Sequence, residues 1–224
     1  MFHVKQFFLL FLVLPFFSLA QHIGSSVLPV KQLPVFPTDN IVNQFLQGLP
    51  NYNSLSSTQK EWYYWTNYSR SNPRRFWDRV ITPILANYPN LVNSYTASLK
   101  RDLYNIKSLP FVKPNKDLIK ISRIFASELA ANNASPSHTS PSGSTFADRM
   151  KTLGVKNCAG ENISFGPSNP LLMLVLLYID EGVPDLGHRK TLLNSSFVEM
   201  GIGIATYPDN KNTIVIQDFA CDQK

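Results

Sequence analysis

The sequence predicts a three-layer α/β/α domain, in which helices cover both faces of one sheet. From residue 57 to 153, apolar residues recur mainly at helical spacing. Two strand patterns lie near the end of the chain. Between the helical region and the strands lies a further helix pattern that is apolar on every side. The last strand pattern, TIVIQDFA, is apolar on both faces and must be covered from both sides. Helices before and between the strands can supply the two covering layers.

Helix boundaries are indicated by capping and breaking residues. Ser57-Thr58 begins the first helix, and Asn72-Pro73 ends it near Ser71, because the residue before a proline disfavours helical geometry. Apolar residues at helical spacing predict further helices at 76–84, 92–106, 118–132 and 145–153.

The last helix and the two strands also have recognisable signals. Ser168-Asn169-Pro170 supplies a cap followed by a proline, and it opens the apolar helix LLMLVLLYI. The strands MGIGIATY and TIVIQDFA are joined by a turn at 208–212, which predicts a hairpin. Gly201 and Gly203 leave one face of the first strand nearly bare, so we expect something, such as a ligand, to approach its backbone closely.

The chain is expected to divide into three regions. Residues 1–20, MFHVKQFFLLFLVLPFFSLA, have a lysine before a long apolar run and small residues at the end, which is typical of a secretory signal peptide. Residues 21–55 are rich in proline and predict an extended N-terminal segment. Residues 56–224 are expected to form the folded domain. No later apolar run is long enough to span a membrane, so we expect a secreted protein.

The charge pattern argues against nucleic-acid binding. Lys and Arg outnumber Asp and Glu by 21 to 15, which gives a formal net charge of +6. The basic residues are scattered, for example at Arg74-Arg75, Lys100-Arg101 and Arg189-Lys190, rather than concentrated on one face. Because a phosphate backbone requires a concentrated basic surface, we expect no nucleic-acid partner.

Two cysteines, Cys158 and Cys221, are present in the chain. In a secreted protein such a pair favours a disulfide. The alternative is two buried free thiols.

Histidines are rare, and two of them fall in the predicted domain. His138 lies in SHTSPSG and His188 in GVPDLGHRK, and both are predicted to lie in loops that follow helices. Glu161, in CAGENI, precedes a strand-like segment. A carboxylate there is costly to bury unless it is paired, and an imidazole is a candidate partner. Each residue alone would also fit an ordinary structural role.

Several motifs together resemble the CAP superfamily of cysteine-rich secretory, antigen five and pathogenesis-related one proteins, in particular its bacterial secreted branch. They are WTNYSRSNPRRF, SHTSPSG, GENISFG, GHRKTLLN and MGIGIA, and the resemblance extends from about Ser56 to Cys221. It implies an α/β/α sandwich with a mostly antiparallel sheet and a central cleft. By motif, His138, Glu161 and His188 line that cleft. The fourth acidic residue departs from the family pattern, and Asp180 or Glu181 takes its place.

The resemblance implies a secreted protein that binds a lipid, a metal ion or a partner protein rather than one that catalyses a reaction. The alternative is a metal-dependent hydrolase, because two histidines and a carboxylate with an open position form a known catalytic zinc set. No cofactor is expected to be required. His138 and His188 are the candidate ligands of a divalent ion such as zinc.

Overall fold

A computed structural model describes residues 28, 31–155, 158–166 and 169–222. The predicted signal peptide lies outside these residues. The α-helices are α1 Asn40–Gln47, α2 Ser57–Ser71, α3 Pro73–Phe76, α4 Thr82–Asn87, α5 Ser94–Asn105, α6 Lys116–Ala131, α7 Phe146–Thr152, α8 Pro170–Ile179 and α9 Gly187–Leu192. A π-helical turn, Trp77–Ile81, joins α3 to α4, and a 3-10 turn, Pro89–Leu91, follows α4. The strands are β1 Lys113–Pro114, β2 Ala159–Gly166, β3 Glu199–Thr206 and β4 Thr213–Ala220.

The strands form one sheet in the order β1-β3-β4-β2. β4 pairs antiparallel with β3 and with β2, and the short β1 pairs parallel with β3. Every residue of β4 is buried. The prediction of a central strand covered from both sides is therefore confirmed, and β2 is left as an edge strand.

Helices cover both faces of this sheet. α6 packs along β3 and β4, whereas α2 contacts β3, and α8 and α9 contact β2. α8 is buried along most of its length, as its uniformly apolar sequence predicts. The arrangement confirms the α/β/α sandwich with a mostly antiparallel sheet.

The bare face of β3 is occupied by α6. A Cβ atom at Gly201 would lie 2.2 Å from the carbonyl carbon of Leu118, and one at Gly203 would lie 2.1 Å from that of Ser122. Helix and strand backbones thus approach so closely that no side chain fits between them. The predicted close approach to these glycines is therefore confirmed, but the neighbour is a helix of the domain itself and not a ligand.

Helix α2 is tied to the loops by two buried polar side chains. The Asn67 amide donates to the carbonyls of Tyr63 and Val112 and accepts from the Val112 amide. The Arg70 guanidinium donates to backbone carbonyls of Pro110, Leu192, Asn194 and Phe197. Such hydrogen bonds satisfy carbonyls most of which lie in loops, outside regular structure.

The segment predicted as extended contains helix α1. Asp39 caps it by accepting hydrogen bonds from the Ile41 and Val42 amides, and it also forms an ion pair with Arg75. Val42 and Leu46 are completely buried in the main core. The apolar residues of α1 do fall on one face, but the helix spans only eight residues, and the prolines on either side of it favoured an extended segment.

Cys158 and Cys221 form a disulfide, with a Cα–Cα distance of 5.6 Å. The bond joins the residue before β2 to the residue after β4, so the predicted disulfide is confirmed. Within the described ranges, no helix is long and apolar enough to cross a membrane.

Candidate functional site

His138 and Glu161 form the first of two histidine–carboxylate pairs. His138 lies in the loop between α6 and α7, and Glu161 lies on β2. The His138 Nδ1 atom is 2.7 Å from Glu161 Oε1. Because an ionised carboxylate only accepts, Nδ1 is the donor in this pair. His138 Nε2 is buried and has no hydrogen-bond partner among the described residues.

Arg149, on α7, holds the other side of Glu161. Its Nη2 atom donates to Glu161 Oε2 at 2.5 Å, and the guanidinium also donates to the His138 and Ser144 carbonyls. The guanidinium carbon lies 3.6 Å from the centre of the Phe125 ring. Both oxygens of Glu161 are therefore engaged by protein donors, and the loop that carries His138 is fixed by the same arginine.

Asp180 and His188 form the second pair. His188 Nδ1 lies 2.7 Å from Asp180 Oδ1, and the Arg189 backbone amide donates to Asp180 Oδ2 at 3.0 Å. Asp180 ends α8 in the left-handed conformation, with a φ of 59°, and Leu186 precedes α9 with a φ of 54°. These two backbone turns bring the carboxylate back against α9. His188 lies in α9, so its predicted placement in a loop is wrong.

Glu181, the alternative to Asp180, contacts neither histidine ring. Its Oε1 atom accepts a hydrogen bond from the Asn93 side-chain amide at 2.8 Å, in an exposed position. Of the two carboxylates that the sequence left open, Asp180 is the one that contacts His188.

Arg189, the neighbour of His188, fixes the end of α8. Its guanidinium is almost completely buried and donates to the carbonyls of Tyr178, Ile179 and Tyr95. It also forms an ion pair with Asp102 on α5, at 2.9 Å. This arginine therefore sets the position of the turn that carries Asp180.

The two pairs flank the edge strand β2. Glu161 contacts the His138 ring, and the side-chain amide of the next residue, Asn162, donates to the His188 carbonyl at 3.3 Å. Successive residues of a strand point to opposite faces, so these two contacts lie on different sides of β2. That both rings face one shared cleft stays a prediction.

The side chains present supply only part of a zinc site. A histidine whose Nδ1–H donates to a carboxylate is the usual form of a metal-ligating histidine, and both pairs have this geometry. Zinc sites in proteins, however, use three or four side-chain ligands. Within the described ranges, no group of three His, Cys, Asp or Glu side chains could hold a metal ion.

Arg149 and Asp218 were not predicted as site residues from the sequence. Asp218, on β4, lies directly opposite Glu161 and is completely buried. The Ser122 hydroxyl donates to its Oδ2 atom at 2.6 Å. Burial, and then the negative charge of Glu161, raise the pKa of Asp218 well above its usual value. The sequence did contain a sign of Asp218, because an acidic residue within a strand that is buried on both faces needs a partner.

The fold and the paired side chains define a mostly antiparallel α/β/α sandwich with two histidines held by carboxylates. The chain belongs to the CAP family, the cysteine-rich secretory protein family, whose model matches residues 90–219, more than half of the chain. No curated protein matches the sequence.

Solved bacterial structures resemble parts of the chain. An extracellular protein of Bacillus anthracis that contains an SCP domain is 27% identical over 55% of this chain, with a TM-score of 0.40, and the match covers 36% of that protein. An outer surface protein of Borrelia burgdorferi is 20% identical, with a TM-score of 0.42, over 62% of this chain and 92% of its own. The CAP domain of enterococcal PrgA is 17% identical, with a TM-score of 0.39, over 82% of this chain and 71% of its own. The chain thus spans about a third of the Bacillus protein, and its family assignment depends on the family model.

Proposed function

We propose that this protein is a secreted binding domain that uses His138 and His188 to hold a ligand without chemical turnover. The observation that carries the proposal is the hydrogen bonding of the two carboxylates. Both oxygens of Glu161 and both oxygens of Asp180 accept hydrogen bonds from protein donors. These carboxylates orient the imidazoles, and each of their oxygens already accepts a hydrogen bond from the protein, which favours a structural role for them over the activation of water.

The free ring nitrogens define the chemistry of the ligand. When Nδ1–H donates to a carboxylate, Nε2 of a neutral imidazole carries a lone pair. That atom binds a metal ion or accepts a hydrogen bond from a hydroxyl or amide group. A divalent ion, the hydroxyl of a lipid and a donor group of a protein all share this property.

A metal-dependent hydrolase is less well supported. Catalytic zinc needs three protein ligands and a free position for water. Glu161, the third ligand of that alternative, is already held by His138 and Arg149. Two imidazoles alone would bind a divalent ion weakly.

Secretion is supported by three independent features. The first twenty residues have the pattern of a signal peptide. The disulfide between Cys158 and Cys221 is of a type that persists in oxidising compartments. The matching Bacillus protein is described as extracellular.

The proposal is tested with two probes, zinc chloride and phosphatidylcholine vesicles that contain cholesterol. Calorimetry and vesicle sedimentation are performed on the wild type, His138→Ala and His188→Ala, with Glu181→Gln as the matched control. We expect at least one probe to bind the wild type and Glu181→Gln equally, and to bind the histidine variants about 10-fold more weakly or worse.

Two results would overturn the proposal. The first is that neither probe binds, or that binding is unaffected by both histidine substitutions. The second is hydrolysis of casein or of p-nitrophenyl acetate that depends on either histidine, because such turnover would establish an enzyme.

A further inference from the structure

We propose that Asp218 is a positioning residue, which carries a proton inside the sheet and donates it in a hydrogen bond to Glu161. Glu161, held in this way, accepts the hydrogen bond that orients the His138 ring. The proton on Asp218 does not depend on ligand binding. The importance of the His138 ring's orientation rests on the proposed function.

The strand register places the two carboxyl groups side by side. Glu161 on β2 is the direct partner of Asp218 on antiparallel β4, so their side chains emerge on the same face. That face is covered by α6 and α7, from which Ser122 and Arg149 reach the pair. Asp218 is 0% exposed, so its oxygens are shielded from bulk solvent.

The supply of hydrogen-bond donors decides which carboxyl carries the proton. Glu161 receives His138 on one oxygen and Arg149 on the other. The one donor that reaches Asp218 is the Ser122 hydroxyl, at Oδ2, and its single proton is shared with the Leu118 carbonyl; the Oδ1 atom of Asp218 has no partner within the described part of the chain. An ionised Asp218 would leave a charged oxygen unsatisfied in the interior, which is costly. A protonated Asp218 instead becomes a donor to the neighbouring carboxylate.

The surrounding charges agree with this assignment. Arg149 on α7 is a positive charge that acts on both carboxyls, and its guanidinium contacts Glu161 directly. One positive charge balances one carboxylate, so the pair holds a single negative charge and a single proton. Two carboxylates in direct contact share a proton in this way, because both cannot ionise together.

The direct test observes the proton itself. Wild-type protein with 13C-labelled aspartate carboxyls is studied by NMR at neutral pH, and Asp218→Asn identifies the signal. We expect one aspartate signal with the chemical shift of a protonated carboxyl, absent from Asp218→Asn. If every aspartate in the wild type is ionised at neutral pH, the proposal is overturned, whether or not any ligand binds.

A second measurement tests the positioning role. Asn at position 218 can still donate to Glu161 and accept from Ser122, whereas Val has a similar volume and can do neither. We therefore expect Asp218→Asn to retain a single His138 tautomer, with the proton on Nδ1, in 15N spectra of metal-free protein. We expect Asp218→Val to give a mixture of tautomers. A single Nδ1–H tautomer in the folded Asp218→Val protein would overturn the positioning role.

Discussion

Asp180, the residue that ends α8, is hydrogen-bonded through its side chain to His188 in α9, at 2.7 Å between Oδ1 and Nδ1. The contact depends on the left-handed backbone at Asp180, which turns the chain back toward the helix. Two helices that are separate in sequence therefore share one buried hydrogen bond. The site is assembled by turns as much as by the sheet.

Asp180→Asn should lower the free energy of unfolding by about 1–3 kcal/mol, the usual effect of disturbing a buried hydrogen bond to a charged group. Asparagine tolerates the left-handed conformation, so the substitution tests the carboxylate rather than the backbone. Glu181→Gln, next in the chain and exposed, should change stability by less than about 0.5 kcal/mol. Urea unfolding measures both, and equal effects would show that the Asp180–His188 pair contributes nothing.

Arg149→Met should destabilise the protein by about 3–5 kcal/mol, because it leaves the buried Glu161 charge without its cation. Lys151→Met, on the exposed side of the same helix, is the matched control and should have little effect. Chemical denaturation of the two variants gives the comparison. A loss below about 1 kcal/mol for Arg149→Met would mean that Glu161 is not held as the structure indicates.

Gly203→Ala should destabilise the domain by at least about 1–3 kcal/mol, because the added methyl group would overlap the backbone of α6 at Ser122. Gly48→Ala is the control, since a Cβ there comes no closer than 3.4 Å to a neighbouring atom and its φ of −74° suits alanine. Thermal unfolding distinguishes the two. If Gly203→Ala behaves like Gly48→Ala, the helix does not lie against β3.

Asp218→Asn should become more stabilising, relative to the wild type, as the pH rises above about 4. Burial raises the pKa of Asp218 in the folded state, so folding takes up a proton above the pKa of an unfolded aspartate, about 3.9. Stability that depends on this proton therefore falls with increasing pH, by up to about 1.4 kcal/mol per pH unit. The asparagine variant has no such proton to take up.

Urea unfolding of the wild type and Asp218→Asn between about pH 4 and pH 7 measures this difference. Asp117→Asn, an exposed carboxylate on α6, is the control and should show no comparable trend. A difference between wild type and Asp218→Asn that stays constant across this range would contradict a raised pKa at position 218.

The parts of the fold that the sequence predicts are those with local causes. Ser56 caps α2, one residue before the Ser57-Thr58 pair that was predicted as its cap, and Asn169 with Pro170 begins α8 as predicted. The burial of β4 and the hairpin with β3 likewise follow from apolar pattern and turn residues. Helix α1 was missed because it spans only eight residues among prolines.

The parts that could not be predicted depend on contacts between distant segments. The glycines of β3 show that something approaches the strand, but the sequence does not show that α6 is the neighbour. The histidines and Glu161 can be recognised in the sequence by residue type. Arg149 and Asp218 reach Glu161 only because of helix packing and strand register, which the sequence does not show. Asp180, and not Glu181, contacts His188 because the backbone at Asp180 is left-handed. The surrounding sequence did not indicate this conformation.

The central claim is that carboxylates hold both imidazoles with Nδ1 protonated and leave Nε2 to bind the ligand. The most direct test is a 15N NMR measurement of the two rings at alkaline pH, where imidazoles are neutral, followed by addition of the probe that binds in calorimetry. The account predicts that His138 and His188 both have the proton on Nδ1, and that only their Nε2 signals shift strongly when the probe is added. A proton on Nε2 of either ring, or Nε2 signals that do not respond to the bound probe, would contradict it.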